Sequence, residues 1–215
     1  MIFYHIGMFN NYSLIVNEQL VKLRTHLPNE RISCIAVGPS NELMNLKKLI
    51  EHVTYGGGNT VYEWVTLLAI WNYAQYNNDD ILYIHSKGVT NLGDGHFNNV
   101  QDWRRCLEHF LIIEASNCKL LLESCDTCGP LYYTDHHHGP HYSGNMWWAK
   151  ADWVRNLPPP LPPDKTKVES EFWITKSPGR HISLTDCPFN TVSYFNPTPP
   201  SMYDSIRNQA LHVTY

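Results

Sequence analysis

The hydrophobic positions in the first half of the chain fall into short continuous runs, separated by stretches with helical spacing. Residues 2–6 form an apolar run ending at Gly7, which predicts a first strand. Asn10, Asn11 and Ser13 offer helix caps, and Leu14, Val16, Leu20, Val21 and Leu23 supply a helical stripe up to Pro28. Residues 32–37 predict a second strand closed by Gly38 and Pro39. Residues 41–50 predict a second helix with Leu43, Leu46, Leu49 and Ile50 inward, and residues 53–55 a third strand. A glycine run, Gly56-Gly57-Gly58, precedes an apolar helix over 61–76. Asp79 and Asp80 then lead into residues 81–84, whose near-continuous apolarity predicts a buried strand.

The second half is less regular. Residues 91–99 are polar and read as a loop. Residues 100–115 predict a helix with Trp103, Cys106, Leu107, Phe110 and Leu111 inward, and residues 118–124 a further helix or turn. Residues 131–133 and 144–148 read as strands around a His-rich loop that ends at His141. A short helix over 151–157 is stopped by the stiff proline run 158–163. A helix over 168–176, strands over 181–185 and 192–195, and a last helix over 201–211 complete the prediction. Strands alternating with helices predict an α/β sandwich with a mostly parallel sheet. The loop-rich second half reads as decoration of that same sheet, so one domain is expected over 1–215.

Composition narrows the function. Lys+Arg number 16 against 20 Asp+Glu, a formal net charge of −4, which leaves no broad basic field for nucleic acid or anionic membrane. No apolar run approaches the roughly 18–20 residues that span a bilayer. The first residues lack the charged and apolar regions of a signal peptide. The six cysteines are scattered, which with no such signal points to reduced thiols in the cytoplasm. Cys125-x-x-Cys128 has metal or redox spacing, but with His136, His137 and His138 it fits no common zinc module. The 12 His, 13 Tyr and 7 Trp are the unusual inventory, and they direct attention to ligand recognition.

Several segments carry candidate chemistry. The Gly56–Asn59 stretch, between a strand and a helix, allows close backbone approach to a ligand and is equally explained as a flexible turn. It is neither a Walker A loop nor G-x-G-x-x-G. His85-Ser86-Lys87 ends a buried strand at the carboxyl edge, where open α/β sheets bind ligands. Alternation places His85 and Lys87 on one side. Asp79 and Asp80 lie at the other end of that strand and read as turn residues. His141-Tyr142-Ser143-Gly144-Asn145-Met146-Trp147-Trp148 is either core or the wall of a sugar site, where CH faces stack on aromatics. Glu169 and Glu171, two apart, offer one inward carboxylate as a general base. Asp135 and the histidines after it offer one or two ligand contacts.

The order of these segments resembles a known family. Ile84-His85-Ser86-Lys87 is similar to the I-H-T-K strand end of bacterial rhamnan-synthesis and capsule-type glycosyltransferases. Trp103-Arg104 resembles their W-R helix, residues 143–150 their a-G-s-M-F-W-a-r segment, and Glu171-Phe172-Trp173 their E-R-x-W helix. The match covers residues 80–175. Size and the aromatic-rich ending also resemble the small glycosyltransferase domain that begins a larger chlorovirus capsid-glycan protein. That likeness implies a host-cytoplasmic location and further fused domains.

The resemblance implies a glycosyltransferase-A-like α/β/α sandwich, with a nucleotide-binding half over 1–100 and an acceptor-side half over 101–215. It implies transfer of glucose, or a deoxyhexose such as rhamnose, from a UDP-sugar to a glycan hydroxyl. Gly7, Met8, Phe9 and Asn10 would hold uracil and ribose, and Gly57, Gly58 and Asn59 would lie against the donor. His85, Ser86 and Lys87 would meet the diphosphate, while Gly144 and Trp147 shape the sugar pocket. Glu171, or else Glu169 or Asp135, would deprotonate the acceptor. The family often uses Mn²⁺ or Mg²⁺. Here its Asp-x-Asp motif is replaced by His85-Ser86-Lys87, leaving His85 and His212 as candidate ligands. Two other classes share some features: a non-catalytic carbohydrate-binding module, and a zinc enzyme using Cys125, Cys128 and residues 136–138.

Overall fold

Seven strands form one mixed sheet in the computed structural model, which describes residues 1–90, 95–134, 139–162, 168–186, 192 and 195–204. The strands are β1 (Ile2–Gly7), β2 (Ile32–Val37), β3 (Val53–Gly57), β4 (Ile81–His85), β5 (Thr127–Gly129), β8 (Trp147–Ala149) and β9 (His181–Ser183). A separate two-stranded ribbon pairs β6 (Tyr132–Tyr133) with β7 (His141–Tyr142). The sheet order is β3-β2-β1-β4-β8-β5-β9. β1 to β4 are mutually parallel, and β8 runs antiparallel to both its neighbours, β4 and β5. The expected α/β architecture, mostly parallel and flanked by helices, is therefore the observed one. The β4–β8 pairing joins both halves of the chain in one sheet.

Helices cover both faces. The chain supplies α1 (Tyr12–His26), α2 (Leu43–Leu46), α3 (Trp64–Ala74), α4 (Phe97–Glu108), α5 (Ala115–Leu122), α6 (Ala151–Asn156) and α7 (Val168–Phe172). Ile2, Tyr4 and Ile6 of β1 join one core with residues of α1, α4 and α5, whereas Phe3 joins the other with residues of α3 and α6. This is the two-residue alternation of a strand buried on both sides. Trp148 and Trp147 divide the same way, one in each core, and both are 0 % exposed.

Several predicted elements need correction. Leu14 and Val21 face solvent at 72 % and 56 % exposure, so they are not in the inward stripe of α1. The inward set is Tyr12, Ile15, Val16, Gln19, Leu20 and Leu23, a regular three-and-four spacing once the polar Gln19 is included. Gln19 tolerates burial because Tyr4 Oη donates to its Oε1 at 2.5 Å and its Nε2 donates to the His85 carbonyl at 3.1 Å. The second helix shortens to a 3₁₀ turn, Ser40–Glu42, and the single turn of α2. The helix expected over 100–115 starts at Phe97 and gives way to a π-helical turn, His109–Ile113. β5 was not anticipated, and it is an interior strand. Residues 205–211 of the predicted last helix, and 193–194 of the predicted strand over 192–195, lie outside the described residues; Pro200–Asp204 is a 3₁₀ turn.

Candidate active site

The strand order reverses between β1 and β4, the crevice where open α/β sheets bind ligands. The turns that leave these two strands are tied together. Gly7 N donates to Ser86 Oγ at 2.8 Å, Ser86 N to the His5 carbonyl at 3.0 Å, and Asn10 Nδ2 to the Val89 carbonyl at 2.6 Å. Asn10 adopts φ 45°, a left-handed conformation that asparagine tolerates better than most residues. Gly7, Asn10, Ser86 and His85 thus lie together where these two turns meet. The Met8 side chain does not: it is buried in the α1-side core, leaving its backbone at the turn.

His85 lies on the α3 side of the sheet. Its Nε2 is 2.7 Å from the Gly144 carbonyl and its Nδ1 is 3.6 Å from Glu63 Oε1. Glu63 was not anticipated. It precedes α3 and is mostly buried, with 17 % of its side chain exposed. Its Oε2 accepts from Tyr83 Oη at 3.0 Å and from Asn145 Nδ2 at 2.5 Å. Burial alone would raise its pKa, but the His85 and His5 imidazoles and the bonds from Asn145 and Tyr83 outweigh burial and hold it below the usual carboxylate value. Its sequence signal was faint: it is the single acidic residue between Gly58 and Tyr76.

Lys87 departs from the expected alternation. β4 ends at His85, and Lys87 N–H turns back to the His85 carbonyl at 2.8 Å. The ammonium lies 3.5 Å from the centroid of the Trp103 ring of α4, a cation–π contact, so it belongs to the α4 side while His85 faces Glu63. Gly144 bridges the two sides. Its φ is +91°, and a β-carbon there would come within 2.7 Å of Leu107 Cδ1 and 3.3 Å of Trp103 Nε1, so glycine is required by conformation and by space.

The remaining sequence candidates divide clearly. Glu171 lies in α7 near Tyr83: burial, then Glu63, then Glu171 push the Tyr83 phenol well up. Glu169 is exposed, and Asn145 Nδ2 reaches the Ser170 carbonyl at 3.3 Å, fastening α7 to the site. Trp147 has no exposed face with which to shape a sugar pocket. It packs on Tyr83 at 5.2 Å and donates Nε1 to Asn145 Oδ1 at 3.1 Å, so it supports the site from behind. Of the glycine run, Gly56 is a packing position whose β-carbon would meet Val65 Cγ2 at 2.8 Å. Gly57 needs φ +130°, and Gly58 faces open space. Gly58 and Asn59 are exposed at the end of β3, three strand spacings of about 4.8 Å from β4. Asp135 and His212 lie outside the described residues.

The described residues do not fit Mn²⁺ or Mg²⁺. No group of three or more His, Cys, Asp or Glu among them is arranged to hold a metal ion, and both ring nitrogens of His85 already face protein oxygens. Cys125 and Cys128 are both buried, and among the described residues no group of three or more His, Cys, Asp or Glu forms around them to hold zinc. Residues 136–138 lie outside the described residues. At the opposite end of the sheet, a cleft of about 390 Å³ includes Glu30, Arg31, Asp79 and Lys119 in its lining. Its charges are spent on each other, Glu30 with Lys119 at 2.6 Å and Arg31 with Asp79 at 3.3 Å.

His5, the register partner of His85 on β1, adds a pH dependence. Burial lowers its pKa from 6.5 to about 4, and its Nδ1 bonds Thr66 Oγ1 at 2.8 Å. The neutral form is the one folded, so this contribution is complete above pH 6.5 and is lost as pH falls toward 4. It amounts to roughly 3 kcal/mol at most. Burial lowers the pKa of His109 and His181 in the same direction. Urea midpoints are expected to fall between these pH values, and His5→Gln to flatten that fall. An unchanged slope in the variant would show that His5 is not responsible.

A doubly covered, mostly parallel sheet with a polar cluster at its switch point defines the class of fold: an α/β sandwich. A family profile described as a domain of unknown function, DUF8361, matches residues 3–186, and the chain belongs to that family. No curated protein matches it. Among solved structures, it is similar to the crystal structure of S. aureus TarS 1-349, with a TM-score of 0.41 and 8 % identity over 85 % of this chain. The chain spans 60 % of that TarS chain, and at this score the likeness carries no weight for function. Among the described residues no helix is long and apolar enough to cross a membrane.

Proposed function

We propose that this chain is a glycosyltransferase that moves a sugar, glucose or a deoxyhexose such as rhamnose, from a UDP-sugar to a glycan hydroxyl. The observation that supports this most is the joining of the β1 and β4 turns at the switch point, with Lys87 at one side and Glu171 at the other. The family resemblance of residues 80–175 supplies the reaction. The Gly7–Asn10 turn receives uracil and ribose, and Gly57, Gly58 and Asn59 border the donor. Lys87 is the cation for the diphosphate. As the bond between the anomeric carbon and the phosphate oxygen breaks, its electron pair leaves with the diphosphate, and a fixed positive charge stabilises that departure. The acceptor oxygen bonds to the anomeric carbon, and in an inverting transfer Glu171 takes its proton.

A carbohydrate-binding module would need an exposed aromatic platform, and Trp147 and Trp148, the aromatic pair that suggested one, are buried. The distinguishing measurement is calorimetry with UDP and UDP-sugars, with and without Mn²⁺. Lys87→Ala is expected to weaken UDP binding about 10–100-fold, the loss of one charge-assisted contact. Unchanged affinity in the variant would remove Lys87 from the site, and no UDP binding by the parent protein would reject the reading.

A further inference from the structure

Glu63 has no part in the transfer just described, yet three polar side chains converge on its carboxylate. Two donors occupy Oε2, Tyr83 Oη at 3.0 Å and Asn145 Nδ2 at 2.5 Å, while Oε1 faces His85 Nδ1 at 3.6 Å. On the far side of the same ring, Nε2 is 2.7 Å from the Gly144 carbonyl. A carbonyl only accepts, so Nε2 carries a hydrogen. A neutral ring would then turn a bare lone pair at Nδ1 toward a carboxylate. A doubly protonated ring presents an N–H to each oxygen, and it pairs a buried anion that would otherwise be costly.

The two ends of this contact are unusual stretches of backbone. Tyr62, immediately before Glu63, has φ 45°, and Gly144 and Asn145 have φ 91° and 48°. Left-handed conformations at a bulky residue persist only where surrounding contacts over-determine them. The His85 ring spans the gap between these turns from the end of the central strand β4. Its other charged and aromatic neighbours among the described residues have places of their own. His5, one strand over, bonds Thr66 Oγ1 at 2.8 Å; Tyr83 stacks 6.2 Å away and already donates to Glu63; Lys87 lies over Trp103; Glu171 is on the Tyr83 side.

We infer that Glu63 is a positioning residue whose carboxylate keeps His85 doubly protonated, so that the ring braces the turns at Tyr62–Glu63 and Gly144–Asn145 across the mouth of the crevice. For the transfer reaction this rests on the reading above, because the braced Asn145 also holds α7, and with it Glu171, through the Ser170 carbonyl. His85 is then part of the frame, and Lys87 is left as the cation for the donor.

The test is ¹⁵N NMR of histidine-labelled full-length protein at pH 7, with the His85 signals assigned by difference against His85→Gln. Two protonated ring nitrogens are expected in the parent protein. Loss of the Nδ1 proton is expected in Glu63→Gln, with restoration in Glu63→Asp. A parent spectrum with one bare nitrogen at His85 overturns the inference without any variant, and so does an unaltered doubly protonated ring in Glu63→Gln. On the enzymatic side, Glu63→Gln is expected to lower kcat about 10–100-fold with little change in donor KM, as misplacement of the acceptor side would. Equal loss in both parameters would instead assign Glu63 to donor binding. A doubly protonated ring that depends on Glu63, in a protein that binds no UDP-sugar, would uphold the brace and reject the transferase.

Discussion

Replacing Arg104 with alanine is expected to destabilise the protein by about 3–5 kcal/mol, read as a lower urea midpoint at an unchanged slope. The guanidinium is 1 % exposed and makes four hydrogen bonds. It donates to Glu108 Oε1 at 2.6 Å, to Glu18 Oε2 at 2.7 Å and twice to Gln101 Oε1, at 3.2 and 2.9 Å. Glu108 is fully buried, and its remaining cation is Lys22, at 2.5 Å from Oε2 and partly exposed. Removing Arg104 leaves a buried carboxylate half-compensated and a buried amide oxygen without its donors, the case in which breaking a pair costs most. Arg104→Met combined with Glu108→Leu is expected to recover most of the loss, because neither charge is then buried; Gln101 accounts for the remainder. A single variant within about 0.5 kcal/mol of the parent would contradict this account. The Trp103-Arg104 pair that carries part of the family resemblance thus splits its duties: Arg104 binds α4 to α1, while Trp103 carries Lys87.

Glu171→Gln is expected to lower sugar transfer by roughly 10²–10⁴-fold with donor affinity kept. Glu169→Gln is expected to leave transfer near the parent rate, since that side chain points to solvent. The amide preserves shape and hydrogen bonding but cannot accept the acceptor's proton. Single-turnover rates at saturating donor, with calorimetry on the same variants, separate the two effects. Full activity in Glu171→Gln would reject it as the base.

The frame was legible in the sequence because it is written in periodicity. Residues 2–6, 32–37 and 81–84 are apolar runs too short for helices, and all three are central parallel strands. β5 was hidden by its chemistry. Thr127, Cys128 and Gly129 have no strand signature, and Cys125-x-x-Cys128 drew the eye toward metals, whereas tertiary pairing with β8 and β9 makes the segment a strand. The site was legible as an address rather than as an arrangement. A strand ending in His85-Ser86-Lys87 marked the place. Which way each side chain turned depended on where β4 stops, and a back-bond from Lys87 N–H decided that. Glu63 was missed because it sits in an apolar stretch whose partners, Tyr83, His85 and Asn145, are 20 or more residues away.

The adjacent tryptophans of β8 raise a problem of bookkeeping in the strand's alignment. A slip of one residue normally exchanges a strand's inward and outward side chains and is punished by the mismatch in size. With Trp147 and Trp148 side by side, a slip would set one indole in the other's place and bring the smaller Ala149 or Met146 into the second site, so volume objects on one face only. The indole N–H groups add a constraint on both faces: Trp148 donates to the Leu111 carbonyl at 2.9 Å on the α4–α5 side, and Trp147 donates to Asn145 at 3.1 Å on the other. Two hydrogen bonds thereby fix the phase of the strand that joins the halves of the sheet, and they set the height at which Gly144 and Asn145 meet His85 and Glu63.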